Sequence, residues 1–170
     1  MKDVTIRATT EDDWEAIRSL RLEMIRDTPR GFAERLADAE RQDEQEWRLR
    51  GRRGNAENST SIVAIDADGT WVGAMGGWIP NPSIGPLLVG VYIAPSRRGR
   101  SAGVTDRMLD VIEEWADTHG STLRLTVHEQ NRRAQAFYRR RGYDLTGTIT
   151  DYALDPNQQE LEMMRTLTTR

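Results

Sequence analysis

The sequence contains no cysteine, which excludes disulfides, thiolate metal sites and cysteine nucleophiles. Histidine is nearly as scarce, with only His119 and His128, so no metal centre is expected. Lys2 is the only lysine among 24 basic residues, a bias we read as composition rather than function. No stretch approaches the ~18–20 consecutive apolar residues of a membrane span. The opening residues, MKDVTIRATTEDDWE, lack the apolar core of a secretory signal, so a cytoplasmic protein is expected. A formal net charge of −3 lacks the strong basic footprint of a nucleic-acid-binding domain. Neither nucleic acid nor membrane is therefore expected as a partner. Internal repeats, low-complexity runs and linkers are also missing.

What remains is a chain of 170 residues, 37% of them hydrophobic. That length fits one domain over 1–170 and can bury a core without staples. VTIRATT (4–10) alternates like a strand. Thr10 is a candidate helix cap for TEDDWEAIRSLRLEMIRD. Residues 34–53 form a strongly charged surface helix. SIVAIDADGTWVGAMGGWIPN (61–81) reads as a hairpin turning at DADG. LLVGVYIA (87–94) is a continuous apolar run, expected of a central strand covered on both faces. GVTDRMLDVIEEWADTHG has the clearest helical period, with Val104, Met108, Val111, Ile112 and Trp115 on one side. TLRLTV (122–127) is a strand, NRRAQAFYRRRG a short helix, and the remainder two strands joined at DPN. The fold class is α/β: a mixed, mostly antiparallel seven-stranded sheet flanked by about four helices.

The joint between LLVGVYIA and the next helix reads PSRRGRSAGV (95–104). Unpaired N–H groups at a helix N-terminus, together with the helix dipole, favour an anion there. Gly99 and Gly103 permit unusual backbone angles and close approach. Arg98 and Arg100 can add forked donors for phosphate oxygens. A pyrophosphate would suit the joint; so would no ligand at all, since a basic surface turn looks the same. The stretch matches neither the Walker pattern nor the dinucleotide GxGxxG fingerprint.

A second stretch, NRRAQAFYRRRGY (131–143), sets Asn131, Ala134, Phe137, Tyr138, Gly142 and Tyr143 at fixed spacings after a strand. Together the two stretches resemble the GNAT superfamily of acyl-CoA-dependent N-acetyltransferases. Its loop motif, Arg/Gln-x-x-Gly-x-Gly/Ala after Val-x-Pro, is matched by IAPSRRGRSAGV. Its later motif, Asn-x-x-Ala-x-x-Phe-Tyr-x-x-x-Gly-Phe/Tyr, is matched without a gap. Ser101 departs from the pattern, standing where the family usually has a glycine.

The resemblance implies a GNAT-like fold, acetyl-CoA as co-substrate and an amine acceptor. It places the pyrophosphate on Arg98, Gly99, Arg100, Ser101, Ala102, Gly103 and Val104. It lays the pantetheine arm along main-chain groups of Val91, Tyr92 and Ile93, where a bulge at Gly90 would splay the strand. It gives Asn131 an amide contact to that arm and makes Tyr138 the general acid to the departing thiolate. For the base, His128, Glu129, Asp151, Glu23 and Glu34 stay open, and His128 reads more readily as a surface residue at a strand end. The Arg139–Arg141 run reads as a solvated helix end that could also reach the 3′-phosphate. Residues about 24–40 and 148–158 would build the acceptor pocket. A small-molecule amine is the expected acceptor. Transfer to a protein amine and a non-catalytic acyl-CoA-binding module are the alternatives, and the chain could pair as a homodimer.

Overall fold

The computed structural model describes residues 4–99 and 103–168. Seven strands form one sheet in the order β1-β2-β3-β4-β5-β7-β6. They are β1 (Thr5–Ala8), β2 (Ser59–Ile65), β3 (Trp71–Trp78), β4 (Leu87–Ile93), β5 (Thr122–His128), β6 (Asp144–Tyr152) and β7 (Asp155–Thr166). Every neighbouring pair is antiparallel except β4 and β5. Five α-helices accompany them: α1 (Trp14–Asp27), α2 (Leu36–Glu40), α3 (Glu44–Arg52), α4 (Val104–Asp117) and α5 (Arg132–Arg140). The expected α/β class and mostly antiparallel seven-stranded sheet are therefore found. Among the described residues no helix is long and apolar enough to cross a membrane.

Three local expectations need correction here, and a fourth concerns β4. The single charged helix over 34–53 is two, α2 and α3, broken at residues 41–43. Asp43 restarts the chain as an N-cap, accepting from Glu46 N at 2.9 Å, and so satisfies one of the orphan donors of the new helix. The turn between β6 and β7 falls at residues 153–154, and DPN begins β7. There Asp155 accepts from Asn157 N at 3.0 Å, a local turn built into the strand. The buried stripe of α4 runs through Val104, Met108, Leu109, Ile112 and Ala116, leaving Val111 exposed. Leu109 thus takes the inward place expected for Val111.

The feature that shapes the site is the seam between β4 and β5. The two strands pair only at Leu87 and Arg124 and then part. On its other side β4 stays paired with β3 from Leu87 to Ile93, except for one extra residue between Val89 and Tyr92. Gly90 lies in that bulge at φ +60°, a conformation that favours glycine. The apolar run of β4 is not covered on both faces, because Val89 is exposed.

Candidate active site

The parting of β4 and β5 opens a cavity of about 1280 Å³, lined by residues of both strands, of α5 and of the chain leading into α4. It exceeds the ~300–1,000 Å³ of ordinary small-molecule sites, leaving room for two substrates at once.

At its α4 end, Gly99 and Gly103 hold φ values of +104° and +63°. Among the described residues nothing lies within 4 Å of where a Cβ would stand on either. Val104 then opens a 14-residue helix whose first-turn amides have no intrahelical acceptor. Arg100, Ser101 and Ala102 lie outside the described residues. The side chain of Arg98 turns inward. Its Nε donates to Ile93 O at 2.8 Å, its Nη2 pairs with Asp27, and its guanidinium sits 5.6 Å over the Tyr92 ring. Arg97 likewise bonds Asp66, at 3.1 Å. Both arginines fasten the loop to the body of the protein. Anion attraction among the described loop residues therefore comes from backbone amides and helix dipole rather than from free guanidinium forks.

Val91, Tyr92 and Ile93 all line the cavity, on the edge of β4 that has lost its β5 partner. The Ile93 carbonyl already accepts from Arg98, and Tyr92 pairs with Ala74 of β3 in the same alternation that bonds Ala94 to Val72, so Val91 carries the free edge. The Tyr92 hydroxyl donates to Glu23 Oε1 at 3.3 Å. Burial first, then the Glu23 and Asp27 carboxylates, push that phenol up to about 12.

Asn131 caps α5, its Oδ1 accepting from Ala134 N at 3.1 Å. The oxygen is committed to the helix, but among the described residues the Nδ2 amide has no partner, and the side chain borders the cavity. Seven positions on, two helical turns along α5, Tyr138 also borders it. Its ring is buried against Phe137 and Tyr143, at centroid distances of 5.3 and 5.7 Å. No hydrogen bond to its hydroxyl is present among the described residues. Burial alone raises this phenol well above the ordinary tyrosine range, because it disfavours the phenolate.

The candidate bases are mostly occupied. Glu34 is gripped by Arg21 at 2.7 Å and Arg50 at 2.8 and 3.1 Å. Burial would raise its carboxyl, yet those bonds outweigh it and hold it below the usual range. Glu23 accepts from Tyr92, and Glu129 from Gln159 N at 3.1 Å. Asp151 is exposed on β6. His128 is buried rather than at the surface. Its Nδ1 accepts from Gln130 N at 3.1 Å and its Nε2 meets Gln158 Oε1 at 2.6 Å, so both nitrogens are engaged. One residue was missed: Glu160 borders the cavity, and its carboxylate has no hydrogen bond or ion pair among the described residues. Its place opposite His128 and its lack of a partner among the described residues distinguish it from Asp155 and Glu162 of β7, which are both bonded.

The Arg139–Arg141 run is more than a solvated helix end. Arg140 bonds Asp106 at 3.1 Å, and Arg141 bonds Asp106, Asp110 and Glu113 at 3.2, 2.6 and 2.8 Å. These bonds dock α5 on α4. The two segments expected to build the acceptor pocket do meet. Tyr152 donates to Pro29 O and Arg35 to Leu154 O, each at 3.5 Å.

A strand seam opened beside a glycine-flanked helix start makes a cavity with one anion-favouring end, and the comparisons give the family. Residues 14–143 match the acetyltransferase (GNAT) family model. The chain belongs to this family of acetyl-CoA-dependent N-acetyltransferases. Its fold is similar to that of the Thermoplasma acidophilum PaiA N-acetyltransferase, solved with coenzyme A: TM-score 0.74 and 19% identity over 96% of this chain and 99% of that one. A Sinorhizobium meliloti phosphinothricin acetyltransferase, solved with acetyl-CoA, gives 0.75 and 17% over 96% and 88%. Nourseothricin acetyltransferase gives 0.60 and 25% over 66% and 67%. No curated protein matches the sequence.

Proposed function

We propose that the protein moves the acetyl group of acetyl-CoA directly to a primary amine of a small molecule, with Tyr138 as general acid. One observation carries the role of Tyr138: its hydroxyl borders the cavity without a partner while its ring is fixed by packing. A hydroxyl held at the cavity wall with its proton uncommitted among the described residues is placed to bond a group that enters there. The small-molecule acceptor is supported by two similar folds, the nourseothricin and phosphinothricin acetyltransferases.

In this reading the first-turn amides of α4 and the turn at Gly99 and Gly103 would receive the diphosphate. The free edge of β4 at Val91 would pair with a pantetheine amide as an added strand does, with Tyr92 and Ile93 beside it on the cavity wall. The Asn131 amide would hold the same arm. The acceptor, as the free amine, forms its nitrogen–carbon bond to the acetyl group as the carbon–sulfur bond breaks. The leaving thiolate takes a proton from Tyr138 Oη, the acetylated nitrogen gives up its extra proton to solvent, and the phenolate regains one from solvent. Burial keeps that phenol protonated at neutral pH, so the donor is in place whenever substrate binds.

Thermal shift with acetyl-CoA tests binding, since a ligand that binds only the folded form raises the melting temperature. Thiol release over an amine panel then tests transfer. In Tyr138→Phe, kcat falls at least ~10-fold while CoA affinity stays nearly unchanged. Unchanged turnover would remove Tyr138 from the chemistry.

A further inference from the structure

We infer that the acceptor is zwitterionic, an amine that also carries a carboxylate as an amino acid does, with its ammonium at Glu160 and its carboxylate at Arg30, both on the cavity wall, and with Arg35 just behind the wall adding to the positive field. The inference rests on the N-acetyltransferase reading above and names the substrate class of that same site.

The three side chains converge on one tyrosine. Glu160 of β7 stands opposite His128 of β5. The His128 ring packs edge-on against Tyr152, 5.1 Å between centroids. Tyr152 donates to the carbonyl of Pro29, the residue before Arg30. Arg35 reaches Leu154 O at 3.5 Å, just beyond Tyr152. Burial raises the Tyr152 phenol, Glu160 raises it further, and Arg30 and Arg35 oppose that rise. All three charges therefore act at the same hydroxyl.

None of the three has an ionic partner among the described residues. Arg30 bonds Gln130 Oε1 and Arg35 bonds a main-chain carbonyl, both neutral oxygens. The only other cavity-lining carboxylate among the described residues, Asp106, is held by Arg140 and Arg141. Two guanidiniums with neutral partners keep full charge and spare donors for a carboxylate. A lone carboxylate at a cavity wall favours a cation. A plain amine would leave the arginines unmatched, and a dianion would meet Glu160.

The test follows thiol release by the full chain over matched triplets: an L-amino acid, its α-carboxamide and its decarboxylated amine. The amino acid is expected to exceed the other two in kcat/KM by about 10-fold or more. The Arg30→Gln/Arg35→Gln double variant brings the acid-to-amide ratio toward one. Glu160→Gln raises KM across all three members, and melting curves verify that each variant is folded. Amines acetylated without regard to the carboxylate, or a preference that survives the double variant, overturn the inference and leave the acetyltransferase reading standing. If no amine is acetylated by a chain that binds acetyl-CoA, both fall.

Discussion

The two ends of the cavity use arginine in opposite ways. At the α4–α5 end, Arg140 and Arg141 are bonded to Asp106, Asp110 and Glu113. Glu113 also receives Arg165 at 2.9 Å and the Tyr143 hydroxyl at 2.9 Å. At the acceptor end, Arg30 and Arg35 meet only neutral oxygens among the described residues. Residue type does not separate the two sets, and exposure sets apart only Arg141, since Arg140 is exposed like Arg30 and Arg35. The partner does. Where carboxylates answer the guanidinium, its charge is committed to holding the fold. Where they do not, the charge remains available to a ligand.

Removing one arginine from each end is the strongest way to break that contrast. Arg141 and Glu113 each keep only 14% of their side-chain surface, and truncating one member of a largely buried network strands the others. Arg141→Ala should cost about 2 kcal/mol, less than a fully buried pair would, and lower the melting temperature by roughly 4–8 °C. Arg30→Ala should stay within about 0.5 kcal/mol, as exposed polar substitutions usually do. Equal losses in thermal denaturation would erase the distinction.

The next test asks whether the α4 end works through its backbone. Gly99→Asp would put a side chain and a negative charge where φ is +104°, and should weaken CoA binding by about 10-fold or more in calorimetry. Gly147→Asp is the control, because Gly147 also has a positive φ, +89°, and open space around it. Both variants carry the same backbone cost and the same charge, but Gly147 lies on β6, away from the helix start. Native CoA affinity in Gly99→Asp, or an equal loss in both, would remove the anion site from that loop.

The fold was legible because its signals are local. The hairpin at DADG, the α4 period and the short α5 helix each depend on neighbours within a few residues. The spacing of Asn131 and Tyr138 needed no tertiary knowledge either, and both reach the cavity. The uses of the arginines were not legible, because a guanidinium's partner can lie far away in sequence. Arg98 meets Asp27 across 71 residues and Arg141 meets Asp106 across 35. Glu160 was hidden for the complementary reason: what marks it is the lack of a partner, which no pattern records. β4 misled in a third way. Its unbroken apolar run signals cover on both faces, yet the face at Val89 opens outward.

Acid titration gives the smallest and finest test of the contrast. Burial would raise the Asp106 carboxyl, but hydrogen bonds from Arg140 and Arg141 outweigh it and hold it below the usual range. A carboxylate depressed in the folded state contributes stability above its unfolded value of about 3.9. That contribution is lost as pH falls from there through the folded value, because the unfolded chain takes up the proton that the folded one still resists. The gap in melting temperature between wild type and Arg141→Ala should therefore be full at neutral pH and narrow only below about pH 4. For Arg30→Ala, whose wild-type partner Gln130 does not titrate, the gap should hold level through the same window. A gap for Arg141→Ala that ignored pH would mean the side chain stabilises by packing its aliphatic stem rather than by meeting carboxylates, and the two ends would then differ in burial alone.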